Sequence, residues 1–400
     1  MPIEGKAVAE SYVCPSCGTA GMSVFYELHG VPAHSVLLLP TREEALNYPR
    51  GDIALSFCQA CGFISNVAFD PSLHEYSSGY EATQAFSPTF NTFAHRLATR
   101  LIEQYDLRGK DIIEIGCGQG EFLALLCELG GNRGVGFDPA YVGGRNGSPA
   151  QDQIIFIKDF YSEKYADCRA DFVCCKMTLE HIQPAAGFVS TVRHALGAQP
   201  DTIVFFQVPD VTRILRELAF WDVYYEHCSY FSLGSLARLF RRCGFGVIRL
   251  AQEYEGQYLM IEARPGGGKD GAMLEQADGL DVLARDVAYF SENCFHKLDA
   301  WRRDLQGIRR AGRRAVIWGG GSKGVAFLTT LGFQDEIEYA VDVNPRKHGT
   351  YVAGTGQEIV SPQFLIEYKP DVVIVMNPIY CDEIRQTLDE MGVSAELLPV

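Results

Sequence analysis

An apolar strand that runs into a glycine cluster and then into a helix occurs twice in this chain. The first instance is "DIIEIGCGQGEFLALLCELG" at 111–130, and the second is "AVIWGGGSKGVAFLTTLG" at 315–332. Glycines at such a junction let the backbone turn tightly and let a ligand approach it. Further strand-like runs follow each turn: "RGVGFDP", "ADFVCCKM" and "TIVFFQVPD" after the first, "IEYAVDVNP" and "PDVVIVMNP" after the second. Alternation of this kind predicts parallel sheets covered by helices. At 400 residues the chain is too long for one ordinary core. The expected fold class is α/β, with two Rossmann-like units and a small segment ahead of them. The expected divisions are 1–72, 73–265 and 266–400, the last opening with a long helical periodicity over 272–310.

The first segment carries two CxxC pairs, Cys14 with Cys17 and Cys58 with Cys61. Two such knuckles complete a tetrahedral four-thiolate site with no position left for a substrate. The expectation is a structural zinc-binding domain, since so small a segment would gain much of its stability from the metal. Spacing alone also admits iron, or unmetallated thiols. Thirteen cysteines, an odd number, with no signal peptide in "MPIEGKAVAESYVCPSCG" predict reduced thiols in a cytoplasmic protein. A net charge of −15 argues against nucleic acid as a partner. No apolar run of about 18 residues predicts a membrane span. The oligomeric state is left between monomer and homodimer.

"EIGCGQGEF" places Gly116, Gly118 and Gly120 after a strand, with Glu114 just ahead. Asp138 closes the next strand, where a carboxylate can take both hydroxyls of a ribose. This GxGxG spacing resembles the class I S-adenosylmethionine (SAM) methyltransferases. Asp159 and Phe160 would then stand near the adenine, and Lys176 and Met177 against the methionine end. Glu180 and His181, next along, read equally well as packing for the following helix. The second turn, "WGGGSKG", satisfies GxGxxG at Gly319, Gly321 and Gly324, with Asp342 closing its next strand. Alone it is a dinucleotide fingerprint and would make the protein an NAD-dependent oxidoreductase. Its alternatives are a phosphate or base contact of a nucleotide sugar, or a turn kept for packing.

The order of the pieces resembles one family over nearly the whole chain. The paired cysteines come first, then the SAM-binding pattern, then "YYEHCSYFS" at 224–232, then "NPRKHGTYVAGTGQEIVSP" at 344–362. This is similar to the sugar C-methyltransferases, such as the C3-methyltransferase of tetronitrose biosynthesis. The resemblance implies C-methylation of a nucleotide-linked keto-deoxy sugar, with O- or N-methylation as the alternative. A base must remove the proton beside the ketone, and donors must hold the resulting enolate. By match to the Y-x-E-H motif, His227 would be the base, Tyr224 the alternative proton carrier or enolate donor, and Glu226 the group that orients the imidazole. The family also brings a linker tyrosine to the site. Tyr76 and Tyr80 both fit, and Tyr76 is preferred. Gln207, at the end of a strand, would face the same cleft. The family often has Glu at that position, and a basic–His pair in place of Lys176 and Met177. Lys323, Asn344, Arg346, Lys347 and Tyr380 would hold the nucleotide, since cationic side chains suit a pyrophosphate. Their alternative is a solvated basic loop.

Overall fold

The computed structural model describes residues 12–73, 79–145, 147–197, 199–266, 279–333 and 336–400. The strands near the N-terminus are β1 (Tyr12–Val13), β2 (Ala20–Pro32), β3 (Arg50–Phe57) and β4 (Ile64–Asn66), all paired antiparallel. The middle of the chain supplies β5 (Asp111–Ile115), β6 (Arg133–Phe137), β7 (Ile154–Ile157) and β8 (Phe172–Lys176). It continues with β9 (Ile203–Pro209), β10 (Ser229–Tyr230), β11 (Phe245–Glu253) and β12 (Tyr258–Pro265). The last part holds β13 (Ala315–Trp318), β14 (Tyr339–Val341), β15 (Glu358–Val360), β16 (Val372–Val375) and β17 (Glu396–Pro399).

Seven middle strands form one sheet in the order β11-β12-β9-β8-β5-β6-β7. Strands β5 to β9 run parallel, and β12 inserts antiparallel between β9 and β11. That order and the one reversed strand define the class I SAM-methyltransferase form of the Rossmann-like fold. Helices cover both faces, so β8 and β9 are buried without alternation, which explains the apolar runs "FVCCK" and "IVFFQVP". The C-terminal sheet is wholly parallel, in the order β15-β14-β13-β16-β17. In each sheet the direction of winding reverses once, beside β5 and beside β13. A crevice opens there at the carboxyl ends of the strands.

The three sheets do not pack as separate balls. β10 lies among the central strands in sequence but joins the N-terminal sheet by pairing with β4. One apolar cluster joins Ile53 and Leu55 of β3, Trp221 and Tyr225 of the 220–230 segment, and Ile317 and Ile374 of the C-terminal sheet. The helix Leu280–Arg310 lies along this cluster with Leu283, Val287, Phe290, Cys294, Leu298, Trp301 and Leu305 buried, an apolar stripe at helical spacing. The periodicity expected from residue 272 is therefore helix from Leu280, and residues 272–278 lie outside the described ones. No helix among the described residues is long and apolar enough to cross a membrane.

Gly51 in β3 shows how tightly the N-terminal sheet meets the 220–230 segment. A Cβ there would lie 2.3 Å from Cε2 of Tyr225. That ring cannot swing away freely, because its hydroxyl accepts from Asp70 N at 2.7 Å and donates to Asp70 O at 3.1 Å. Gly51→Ala is expected to destabilise the protein by about 1–3 kcal/mol through overpacking. Thermal melting should register the loss, and an unchanged Tm would mean that this contact is looser than drawn.

Candidate active site

The first crevice has a volume of about 1170 Å3 and opens at the ends of β5 and β8. Gly116 and Gly118 line it, and Gly120 closes the same turn without lining the crevice, with φ of +68°, +55° and +81° in that order. At Gly116 a Cβ would sit 2.1 Å from Oγ1 of Thr178, whereas at Gly118 it would meet nothing within 4 Å. The turn is closed on its protein side and open on its cavity side. Glu114 is buried, and its Oε2 has no hydrogen-bond partner. Burial pushes this carboxyl up to about 8, against the pull of nearby Lys176. Lys176 itself is lowered by burial and lies over the Phe122 ring, 3.7 Å from its centroid. An orphaned carboxylate oxygen and an ammonium in an apolar wall suit a ligand with its own ammonium and carboxylate. Asp138 accepts from Gly118 N at 2.9 Å and Ala140 N at 2.8 Å, which fixes it at the rim. Asp159 is held down at about 2 by Lys164 and the Tyr165 hydroxyl. Phe160 beside it is 60% exposed at the mouth. The residues present thus fit SAM.

A second cavity, about 300 Å3, lies between the central sheet and the C-terminal sheet. Tyr80, Glu180, Tyr224, Glu226 and His227 line one wall, and Lys323, Asn344, Lys347 and Tyr380 line the other. Met177 and His181 line both cavities. Met177 has φ +50°, an uncommon backbone state for a residue with a side chain, and its N–H is fixed on Gln207 O at 2.8 Å.

The "YYEH" run is pinned from the N-terminal side. The Ser35 N–H and hydroxyl both donate to Glu226 Oε1, and His34 Nδ1 lies 3.6 Å from Oε2. Burial raises Glu226, but His34, His181 and Ser35 together bring it below the ordinary carboxylate range. It is therefore ionised near neutrality. Glu226 was expected to orient His227, and its hydrogen bonds and ion pair run to Ser35 and His34. The His227 ring lies 4.1 Å from that of Tyr224 and 4.8 Å from that of His181. Burial pushes the Tyr224 phenol well above its usual value, so it keeps its proton. Glu180 is buried, with neither oxygen hydrogen-bonded, and burial pushes it up to about 8.

The substrate-side candidates are already engaged. Lys323 Nζ lies 2.7 Å from Asp222, which also accepts from Arg213 at 2.8 Å. Lys347 and the Gly320 N–H bind Asp342 Oδ2 at 3.0 and 3.1 Å. Asn344 and Arg346 donate to the buried Glu81, at 3.1 and 3.4 Å. Tyr380 donates to Gln84 at 3.0 Å and accepts from Tyr254 at 2.7 Å. Gln207 and Arg346 line neither cavity, and Gln207 is buried beneath the strand end. Tyr76 lies outside the described residues. Sequence reasoning missed Asp222, His34, Ser35 and Glu81. An acid or a histidine inside an apolar run was the one visible signal.

The four cysteines of the N-terminal part are brought together across the β2–β3 hairpin. Cys14 and Cys61 have their sulfurs 3.6 Å apart, as do Cys17 and Cys58, and all four are free thiols. Zinc–sulfur bonds of about 2.3 Å place tetrahedral sulfurs roughly 3.8 Å apart, so the cluster is sized for such an ion.

A methyltransferase-domain family matches residues 80–250, and the C-methyltransferase C-terminal domain family matches 272–395. Fold, crevice and match together make this chain a SAM-dependent methyltransferase. The C-terminal match and a curated relative both carry the C-methyltransferase description. The C-methyltransferase NovU of Streptomyces niveus is 26% identical over 306 residues, 72% of this chain and 71% of that protein. Among solved structures, the 1,6-didemethyltoxoflavin-N1-methyltransferase of Burkholderia thailandensis is 20% identical, over 43% of this chain and 78% of its own, with TM-score 0.33. A SAM-dependent methyltransferase of Mesorhizobium loti is 16% identical, over 41% and 95%, with TM-score 0.31.

Gly116→Ala should impair SAM binding, because the added methyl must displace Thr178 at a positive φ. A loss of about 1–3 kcal/mol, or roughly fivefold to 150-fold in Kd, is expected by calorimetry. Wild-type affinity would show that the turn does not shape the SAM site.

Proposed function

We propose that the protein methylates carbon beside a ketone in a nucleotide-linked deoxy sugar. The observation that carries this reading is the shared wall. Tyr80, Thr83, Met177 and His181 line both the SAM crevice and a cavity whose lining includes Tyr224 and His227, so the two adjoin. SAM supplies an electrophilic methyl group. The chain supplies what a carbon nucleophile needs. His227 takes the proton next to the carbonyl, and the Tyr224 phenol, kept protonated by burial, donates to the enolate oxygen. Glu226 remains ionised and favours positive charge on the imidazoles around it. Glu226 and His227 are themselves buried, and a bound substrate would keep water from competing for the proton.

The opposite wall would receive the nucleotide, with Lys323, Asn344, Lys347 and Tyr380 facing the cavity. A nicotinamide dinucleotide suits that wall less well. Asp342, the ribose-reading acid of such a site, is bound by Lys347 and Gly320. The reading assigns 1–72 as a zinc-binding domain, 73–265 as the methyl-transfer domain and 266–400 as the substrate-binding domain, in a cytoplasmic enzyme.

His227→Asn and Tyr224→Phe should each lower turnover by about 10²–10⁴-fold while SAM affinity is unchanged. Single-turnover kinetics with a keto-sugar nucleotide would measure this, and product NMR should show a new methyl on carbon. A methyl found on oxygen or nitrogen would replace this reading with the O- or N-methyl alternative. Zinc analysis of protein from metal-lean medium should return about one ion per chain. Cys58→Ser or a strong chelator should remove it and lower the Tm, since binding energy at such a site is folding energy. A metal-free protein of full stability would remove zinc from the account.

A further inference from the structure

The cavity contains a donor group that methyl transfer does not use as a unit. One carboxylate oxygen of Glu180 and one ring nitrogen each of His181 and His227 lie within 4.8 Å of one another. They come from two different strand ends. Glu180 and His181 sit on the short turn after β8, and His227 lies on the segment before β10. Glu180 is 1% exposed, and neither of its oxygens has a hydrogen-bond partner. A buried carboxylate in that state demands a proton or a cation. All three side chains line the cavity, so a ligand can reach them from the open side.

We propose that Glu180, His181 and His227 form a second metal site, for a divalent ion of the zinc, cobalt or nickel class. Two imidazoles and one carboxylate with an open fourth position suit such borderline ions, whereas magnesium and calcium prefer oxygen alone. The site differs in kind from the four-cysteine cluster, which is closed and all sulfur. Bonds of about 2.0–2.2 Å would set the donors roughly 3.4 Å apart, so the side chains close by about 1 Å around the ion. Once bound, the ion occupies the nitrogen lone pair of His227. Because His227 is read above as the base, occupancy shuts off proton abstraction and so regulates the enzyme. That second step rests on the proposed function, whereas the donor assignment stands without it.

Cobalt is a suitable probe. The protein, with its cysteine cluster filled, is titrated with Co2+ while visible absorption and methyl transfer are followed together. One further ion per chain is expected, with d–d bands but no thiolate charge-transfer band, and turnover should fall with the same midpoint and return with EDTA. Glu180→Gln and His181→Asn should each weaken this binding by about tenfold or more, with near-ultraviolet circular dichroism verifying the fold. No further ion bound by about 1 mM Co2+, or binding indifferent to both substitutions, overturns the site. Binding with turnover intact overturns the inhibition and removes His227 as base, leaving only the donor assignment.

Discussion

Two carboxylates on one short segment, Asp222 and Glu226, are matched by cations and donors from opposite ends of the chain. Asp222 is held by Lys323 on the second glycine turn and by Arg213. Glu226 is held by Ser35 and His34, which lie beyond β2. Carboxylates taken out of water need such partners, and each of these two has more than one. These contacts, together with the β4–β10 pairing, fix the segment against all three sheets at once. The positions of Tyr224 and His227 follow from that fixing and not from local helix or strand preference.

The two glycine turns show how little a shared pattern guarantees. In the first, Gly118 faces open space and Glu114 keeps an unpaired oxygen. In the second, the glycines answer to packing. A Cβ on Gly324 would lie 2.2 Å from the Gly319 carbonyl oxygen, and one on Gly319 would lie 3.2 Å from Met376. The acid that follows is filled by Lys347 and backbone. The same strand–turn–helix unit therefore stands once with an unpaired acid ahead of its glycines and once with the acid that follows already bonded, although Gly319 and Gly321 still border the second cavity.

Much of the architecture was legible in the sequence, because buried parallel strands and CxxC knuckles leave local signatures. The apolar runs at β5, β8, β9, β13 and β16 are strands. The four cysteines meet as their spacing required. What escaped is long-range. Glu226 and Ser35 are 191 residues apart in sequence, and Lys323 and Asp222 are 101 apart. No periodicity within one chain records such a pairing. The basic residues near the C-terminus read as free phosphate ligands, but Arg346 and Lys347 each carry an internal partner. Glu180 read equally well as helix packing, and only its three-dimensional surroundings reveal a carboxyl with neither oxygen hydrogen-bonded.

Met177 stands where the two chambers meet. Its left-handed backbone, fastened to Gln207, turns it so that it borders both chambers. Tyr80, Ala82, Thr83, Gln84 and His181 border both chambers with it, so the two meet along one seam. In-line displacement needs its two reacting atoms in contact, so a thioether at this seam has to border the line of transfer without crossing it, and the backbone at Met177 fixes where it stands.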